Sequence, residues 1–372
     1  ILKKFMKKRK ENKKIMFGNY RDKVNNYKAF WNRENMNHPL VGFTFRTFFP
    51  LTEYKVAEKW QSKTYLTPDM IKPEEFMEDE VKLLAEGEII NDDIIRGVRA
   101  GSGAIHWLHG ILGLKIRILP GNTMGEELNL SWEECKTINF NKQNPWFKKY
   151  IEFTKTLIKK SNGNFPVSHV AFRGPSDLLG FLRGNTQAIL DLIDAPAKAV
   201  ELLWQLSDIF IEITEEVWKV IPLFYGGYFD ASYQLWTPGT IVRIQEDATA
   251  LYSPELYRKF LQPIDRKIAS KFSNSFIHLH STSMFLLEAF LEIDEIKCYE
   301  INNDEGGPEI KEMIPYFKMV QKAKKPLIIR GAFTKEDIKL LMDSLKPQGL
   351  YLYILVQNIE EINILKRSLG MA

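Results

Sequence analysis

From Val167 to Leu355 the chain repeats one pattern: a short apolar run, a turn, then a helical stretch. The runs are Val167–Phe172, Ile241–Gln245, Phe276–His280, Lys297–Ile301, Leu327–Arg330 and Leu350–Leu355. Several are apolar on both faces, which is the signature of parallel strands covered by helices on both sides. Strands alternating with helices build an α/β architecture. Leu40–Phe45 adds one more run near the start. The stretch between 50 and 165 is more helical and irregular, and is expected to hold an insertion plus one weakly signalled strand near Ile89–Ile95. The strand count then approaches eight. The expected fold is a TIM (β/α)8 barrel with an N-terminal helical extension or insertion. Residues 1–36 form a basic tail and helical segment, and 37–372 form one barrel domain with its insertion at about 50–165. The competing fold, an open doubly wound sheet, lacks a G-x-G-x-x-G turn after its first strand.

Helix boundaries carry their own chemistry. Ser253-Pro254-Glu255 reads as a helix start: a capping hydroxyl, a proline where its missing N–H costs nothing, and an acid at the positive end of the dipole. Leu256, Phe260, Ile264 and Ile268 continue it as an apolar stripe. Asn185–Ile193 and Pro196–Val220 form a helix pair, broken at Ala195-Pro196 because a residue before proline disfavours the α conformation. A last helix follows Gln357-Asn358.

The net charge of +4 is unevenly placed. Lys3, Lys4, Lys7, Lys8, Arg9, Lys10, Lys13 and Lys14 face Glu11 alone, so the remainder of the chain is slightly acidic. The basic character belongs to a tail and gives no reason to expect nucleic acid on the folded body. Ile15-Met16-Phe17 is too short for the apolar core of a signal peptide, and no apolar run is long enough to span a bilayer. Two cysteines, Cys135 and Cys298, exclude a disulfide scaffold and suggest a reducing compartment. The expected location is the cytoplasm.

Residues two apart on a strand point the same way. His278 and His280 therefore project together near a strand's C-terminal end, where barrel enzymes carry their sites. Two imidazoles at this spacing can share one divalent metal, with Glu300 on the next strand as a third ligand and one position left open. Such a set suits Zn, Fe or Mn, zinc foremost; the same histidines can also line a cavity without metal. Glu246 and Asp247 are adjacent, so they face apart and do not act as a pair. Arg173, Arg183 and Arg330 lie at or beyond strand ends. Their forks suit a substrate carboxylate or phosphate, or structural pairing with Asp177, Asp191 or Asp304. Tyr228, Tyr233 and Trp236 form an aromatic loop able to wall a pocket, with Tyr228 as a substrate contact. Cys298 shares a strand face with Glu300 and could be a ligand, but a lone strand cysteine more often belongs to the core; His106 and His109 read as packing.

Several of these stretches together resemble the uroporphyrinogen decarboxylase superfamily, which also contains corrinoid-linked methyltransferases. They are Arg173-Gly174-Pro175-Ser176-Asp177-Leu178, Arg183-Gly184, Leu190–Pro196, Glu246-Asp247-Ala248, Leu251–Glu255, Ile277-His278-Leu279-His280 and Asn302-Asn303-Asp304. The likeness covers residues 165–357, and more weakly 38–135 through Asp92-Asp93 and Arg99–Gly103. It implies a TIM barrel, a homodimer, and Asp247 at an acidic strand-end position, as substrate holder or general base.

Two departures matter. The decarboxylases' N-terminal Arg-Gln-Ala-Gly-Arg stretch is replaced by Thr44-Phe45-Arg46-Thr47-Phe48. The methyltransferases' His-x-Cys motif reads His278-Leu279-His280, and no Cys follows Leu355, so their zinc–thiolate site cannot be assembled. The resemblance implies metal-assisted methyl transfer or demethylation of a small substrate, with Asp247 and His280 catalytic and a corrinoid protein as partner. The alternatives are decarboxylation of a porphyrinogen-like polycarboxylate, and a silent barrel that binds a tetrapyrrole or corrinoid.

Overall fold

Six of the apolar runs form one parallel sheet: β1 Leu40–Thr44, β2 Ile241–Gln245, β3 Asn274–His280, β4 Cys298–Asn302, β5 Leu327–Gly331 and β6 Leu350–Leu355. The computed structural model describes residues 20–45 and 50–371. The basic stretch Lys3–Lys14 and the residues Arg46–Phe48 lie outside them. Every residue of β1, β4 and β5 is buried. That is the burial expected of strands rich in Val, Ile and Leu with helices packed over them. The sheet order is β1-β6-β5-β4-β3-β2, all neighbours parallel, so the first strand lies beside the last. This is an α/β fold around a central six-stranded parallel sheet.

Shorter strands lie apart from that sheet. Val98–Arg99 pairs in parallel with Val167–Ser168, and His169 makes a single parallel bridge to Asp230. Among the described residues the hydrogen-bonded ladder does not run round a closed ring. The weakly signalled strand is therefore Val98–Arg99, not Ile89–Ile95. The reason is local. Asp92 and Asp93 accept hydrogen bonds from the β1 amides of Phe43 (2.8 Å) and Val41 (3.0 Å). Two carboxylates occupy donors that a backbone ladder would have used, so this segment runs beside β1 as an irregular chain.

The helices stop and start where the side chains dictate. Ser253 caps the helix after β2 by accepting from the Leu256 amide at 3.2 Å. Thr334 and Asp337 form a reciprocal capping box at the helix after β5. Asn358 caps the last helix, Ile359–Ser368. The pair Asn185–Asp194 and Pro196–Trp218 breaks at Ala195 as proline requires.

The segment between β1 and Val167 carries the helices Met77–Glu88 and Pro145–Ser161. It also carries a small antiparallel sheet of Tyr65–Leu66, Ile116–Leu119 and Asn122–Gly125. Its Trp107 ring stacks on Tyr150 with centroids 5.2 Å apart, and Tyr150 in turn accepts from the Val170 amide at 3.0 Å and packs on Phe172, tying the segment into the common core. Among the described residues no helix is long and apolar enough to cross a membrane.

Candidate metal centre

Strand register decides which side chains stand at the same height. His278 is level with Gln245 on β2 and with Glu300 on β4; His280 is level with Asn302. Asp247 follows Gln245 by two residues, so its carboxylate rises to the height of His280 just beyond the end of β2. Glu246 turns away, to the Ser176 amide and hydroxyl.

The Nε2 atoms of His278 and His280 face each other at 3.3 Å. Each ring is held from behind. Glu300 accepts from Nδ1 of His278, with the Tyr233 hydroxyl 2.8 Å from the same nitrogen. Asp304 accepts from Nδ1 of His280 at 2.8 Å. A carboxylate on Nδ1 fixes the tautomer and leaves a lone pair on Nε2. Two lone pairs aimed at each other repel unless a cation or proton lies between them. With metal–nitrogen bonds of about 2.0–2.1 Å, two imidazoles in a tetrahedral set stand about 3.3–3.4 Å apart. Asp247 Oδ1 lies 3.7 Å from His280 Nε2, and donor atoms of Asp247, His278 and His280 fall within 4.8 Å of one another. Two imidazoles, one carboxylate and an open side fit a divalent cation such as zinc.

The supports of Asp247 and Asp304 are equally specific. Asp247 Oδ2 accepts from Gln245 Nε2 at 2.7 Å and from the Arg173 guanidinium. Arg173 is fixed by the next residue: the Gly174 amide donates to Gln245 O at 2.7 Å, and a Cβ on Gly174 would stand only 2.5 Å from that carbonyl. Asp304 Oδ2 accepts from the Ser281 amide (2.8 Å) and hydroxyl (2.9 Å), which joins the ends of β3 and β4.

The electrostatics separate the two histidines. Burial, reinforced by the nearby Arg243, holds His278 well below the ordinary imidazole value, so it stays neutral. His280 moves the other way because the Asp304 hydrogen bond outweighs its burial. Burial alone would raise Asp304, but hydrogen bonds from His280 and Asn302 bring it far below the carboxylate range. Burial likewise opposes ionisation of Asp247, and the Arg173 guanidinium overcomes it. Glu300 is pushed up by burial to about 7, with Arg243 pulling against the shift.

These donor atoms open on a cleft of about 310 Å³. Arg99, Arg173, Arg243 and Arg330 line it, and His106 and His109 of the segment before Val167 also face it. Burial holds both of these imidazoles below their ordinary value, His106 at about 4. Compared with known protein families and with curated proteins, the chain gives no match. The reading of the site thus rests on its own geometry.

That geometry brings together Asp247, His278, His280, Arg173 and Arg330. Three other residues stand elsewhere. Glu300, expected as the third ligand, sits behind His278 and orients it, and the carboxylate that groups with the two imidazoles is that of Asp247. Arg183 binds Asp191 at 2.7 Å, and its guanidinium covers the Trp132 ring at 4.1 Å, away from the cleft. Tyr228 packs on Trp218 with centroids 4.9 Å apart, also outside the cleft; Tyr233 of the same loop faces it. Cys298 is fully buried. His106 and His109 do pack, as expected, but the cleft shares them. Sequence reading missed Arg243, and it quoted Arg99 only within the resembling stretch Arg99–Gly103, without a place in the cleft. It also missed the Asp304–His280 and Glu300–His278 hydrogen bonds, although Asp304 lay in a stretch that it singled out.

Proposed function

We propose that this chain is a metal-dependent enzyme on a (β/α)8-type scaffold, a divergent member of the uroporphyrinogen decarboxylase superfamily. In this reading it carries out methyl transfer or demethylation of a small substrate linked to a corrinoid protein. The observation that carries the metal-dependent part is the pair of imidazole nitrogens at 3.3 Å, each backed by a carboxylate, with Asp247 beside them. The methyl chemistry and the corrinoid partner come from the sequence resemblance. His278, His280 and Asp247 would hold the cation, zinc foremost. A bound zinc supplies Lewis acidity, which lowers the pKa of a ligand thiol or water.

The chain's own residues do the rest. Glu300 and Asp304 hold the two imidazoles in the productive tautomer. Arg173 keeps Asp247 ionised and aimed. Arg330, which donates to Asn302 at 3.1 Å, and the His106 side of the cleft face the space where a substrate would lie. Elemental analysis after zinc-replete purification tests the metal. Demethylation of methylcobalamin by an added thiol tests the reaction. Zinc-dependent turnover is expected. A zinc-loaded protein inert in that assay, yet releasing CO2 from a polycarboxylate, would move the assignment to decarboxylation.

Two consequences concern the ligand shell. A proton on His280 Nε2 competes with the cation, and the Asp304 hydrogen bond raises the pH at which that proton is bound. Zinc affinity is therefore expected to hold at high pH. It should fall about tenfold per pH unit once the pH drops below the raised His280 value. Competition titration with a chelator across pH checks it. Asp304→Asn removes the charge that orients and charges His280. It is expected to weaken zinc about 10–100-fold at high pH and to move the proton competition to lower pH. A variant with unchanged affinity and unchanged pH profile would show that Asp304 has no part in the site.

A further inference from the structure

Among the described residues, Arg243 is the cleft arginine with the fewest partners. Arg173 is engaged by Asp247, Arg99 donates to Ser232 Oγ, and Arg330 donates to Asn302. Among the described residues, Arg243 has a single hydrogen bond: Nη2 to the Tyr233 hydroxyl, at a long 3.4 Å. Its Nε is buried without a partner. No carboxylate oxygen stands within ion-pair distance of it among the described residues, although Asp230 and Glu300 are near enough to feel its charge. Its guanidinium lies 5.5 Å from the centre of the Tyr233 ring, which holds the side chain against one wall. A guanidinium keeps its charge and its five donors at any working pH, so leaving both unpaired in a deep position is costly.

Register places this charge. Arg243 is level with Phe276, two residues below the height of His278. At about 3.3 Å per residue the Arg243 Cα lies about 7 Å beneath the His278 Cα, but the side chain reaches back up: its Nη2 is 3.4 Å from the Tyr233 hydroxyl, which stands 2.8 Å from His278 Nδ1. The cleft therefore has a cation on the Nδ1 side of His278, across the ring from the Nε2 atom that faces the candidate metal centre.

We propose that Arg243 anchors a carboxylate of the substrate, so that the substrate is a small carboxylic acid. It would lie with its anionic end on the Arg243 guanidinium and its reacting end, a few carbons away, at His278, His280 and Asp247. The planar fork of the guanidinium offers a carboxylate two parallel N–H donors. The anion would supply the counter-charge that the fold itself withholds. This deepens the reading of the cleft as a substrate site and rests on it.

The test uses glutarate and its neutral isostere glutaramide as probes of the full chain, by calorimetry or ligand NMR. It is done first on chelator-treated protein and then on zinc-loaded protein. Wild type is expected to bind glutarate at least about tenfold more tightly than glutaramide. Arg243→Gln should erase that preference, while Arg243→Lys should keep part of it. In wild type, the Arg243 Nε–Hε resonance, assigned by its absence from Arg243→Lys, should shift on adding glutarate and not on adding glutaramide. This readout stands even where Arg243→Gln does not fold. Equal affinity for the two probes in wild type, or an undiminished preference in Arg243→Gln, overturns the proposal. An Arg243-dependent preference in a protein that takes up no zinc supports the anion anchor and removes the metal reading, so the two fail separately.

Discussion

Replacing both histidines, His278→Ala with His280→Ala, is expected to reduce bound zinc from about one equivalent to under about a tenth, because a single carboxylate cannot hold the ion. Three donors converge on one point, and two of them are removed. Asp247→Asn keeps both imidazoles and should retain measurable but weaker binding. Glu300→Gln leaves all three donors in place and alters only what holds His278, so its effect belongs with Asp304→Asn, about 10–100-fold in affinity. This grading separates a metal centre from a cluster of polar side chains. In a metal-free cleft, the four variants would show no ordered series of zinc contents. Inductively coupled plasma measurements on the purified variants, with folding checked by circular dichroism, read the series directly. Full zinc occupancy in the double variant would place the ion elsewhere.

The two histidines were legible in the sequence because their geometry is local. A spacing of two on a strand puts both on one face, whatever surrounds them. The six long strands were legible for a similar reason: Leu327-Ile328-Ile329 and Leu350–Leu355 leave no solvent face. The third candidate ligand was not local. Both Glu300 and Asp247 are acids near strand ends, and choosing between them needs the register of three strands. Gln245, His278 and Glu300 stand at one height. Glu300 thus meets the side of the His278 ring, while Asp247 reaches the level of His280. Arg243 was invisible for another reason. An arginine between Val242 and Ile244 does not announce which strand face is interior. Arg183 and Tyr228 show the converse. Arg183, the last residue of its helix, pairs with Asp191 on the next helix, the structural pairing that the sequence left open, and Tyr228 packs on Trp218. Sequence proximity to a strand end carried neither into the cleft. The short strand Val98–Arg99 was hidden because its pairing spans two residues, while the neighbouring Asp92-Asp93 serves β1 through side chains.

That Asp92 contact carries the largest expected effect on stability. Asp92 and Arg96 are both buried, and they form a bidentate pair at 2.8 and 2.7 Å. The same carboxylate accepts from the Phe43 amide of β1, and Arg96 donates back to Phe43 O at 3.0 Å. Four groups therefore satisfy one another in a site that is almost wholly buried. Asp92→Ala leaves the Arg96 charge without its counter-ion and a β1 amide without an acceptor. The expected loss is about 3–5 kcal/mol of unfolding free energy, read as a lower denaturation midpoint in urea. Desolvation should dominate that loss over attraction, because both charges have left water. Replacing both partners with apolar residues of similar size, Asp92→Leu with Arg96→Met, should then recover much of what Asp92→Ala alone loses. The recovery will be incomplete, since the Phe43 amide and carbonyl still lack partners. If the double variant is as unstable as Asp92→Ala, the network's value lies in the β1 hydrogen bonds and not in balancing a buried charge.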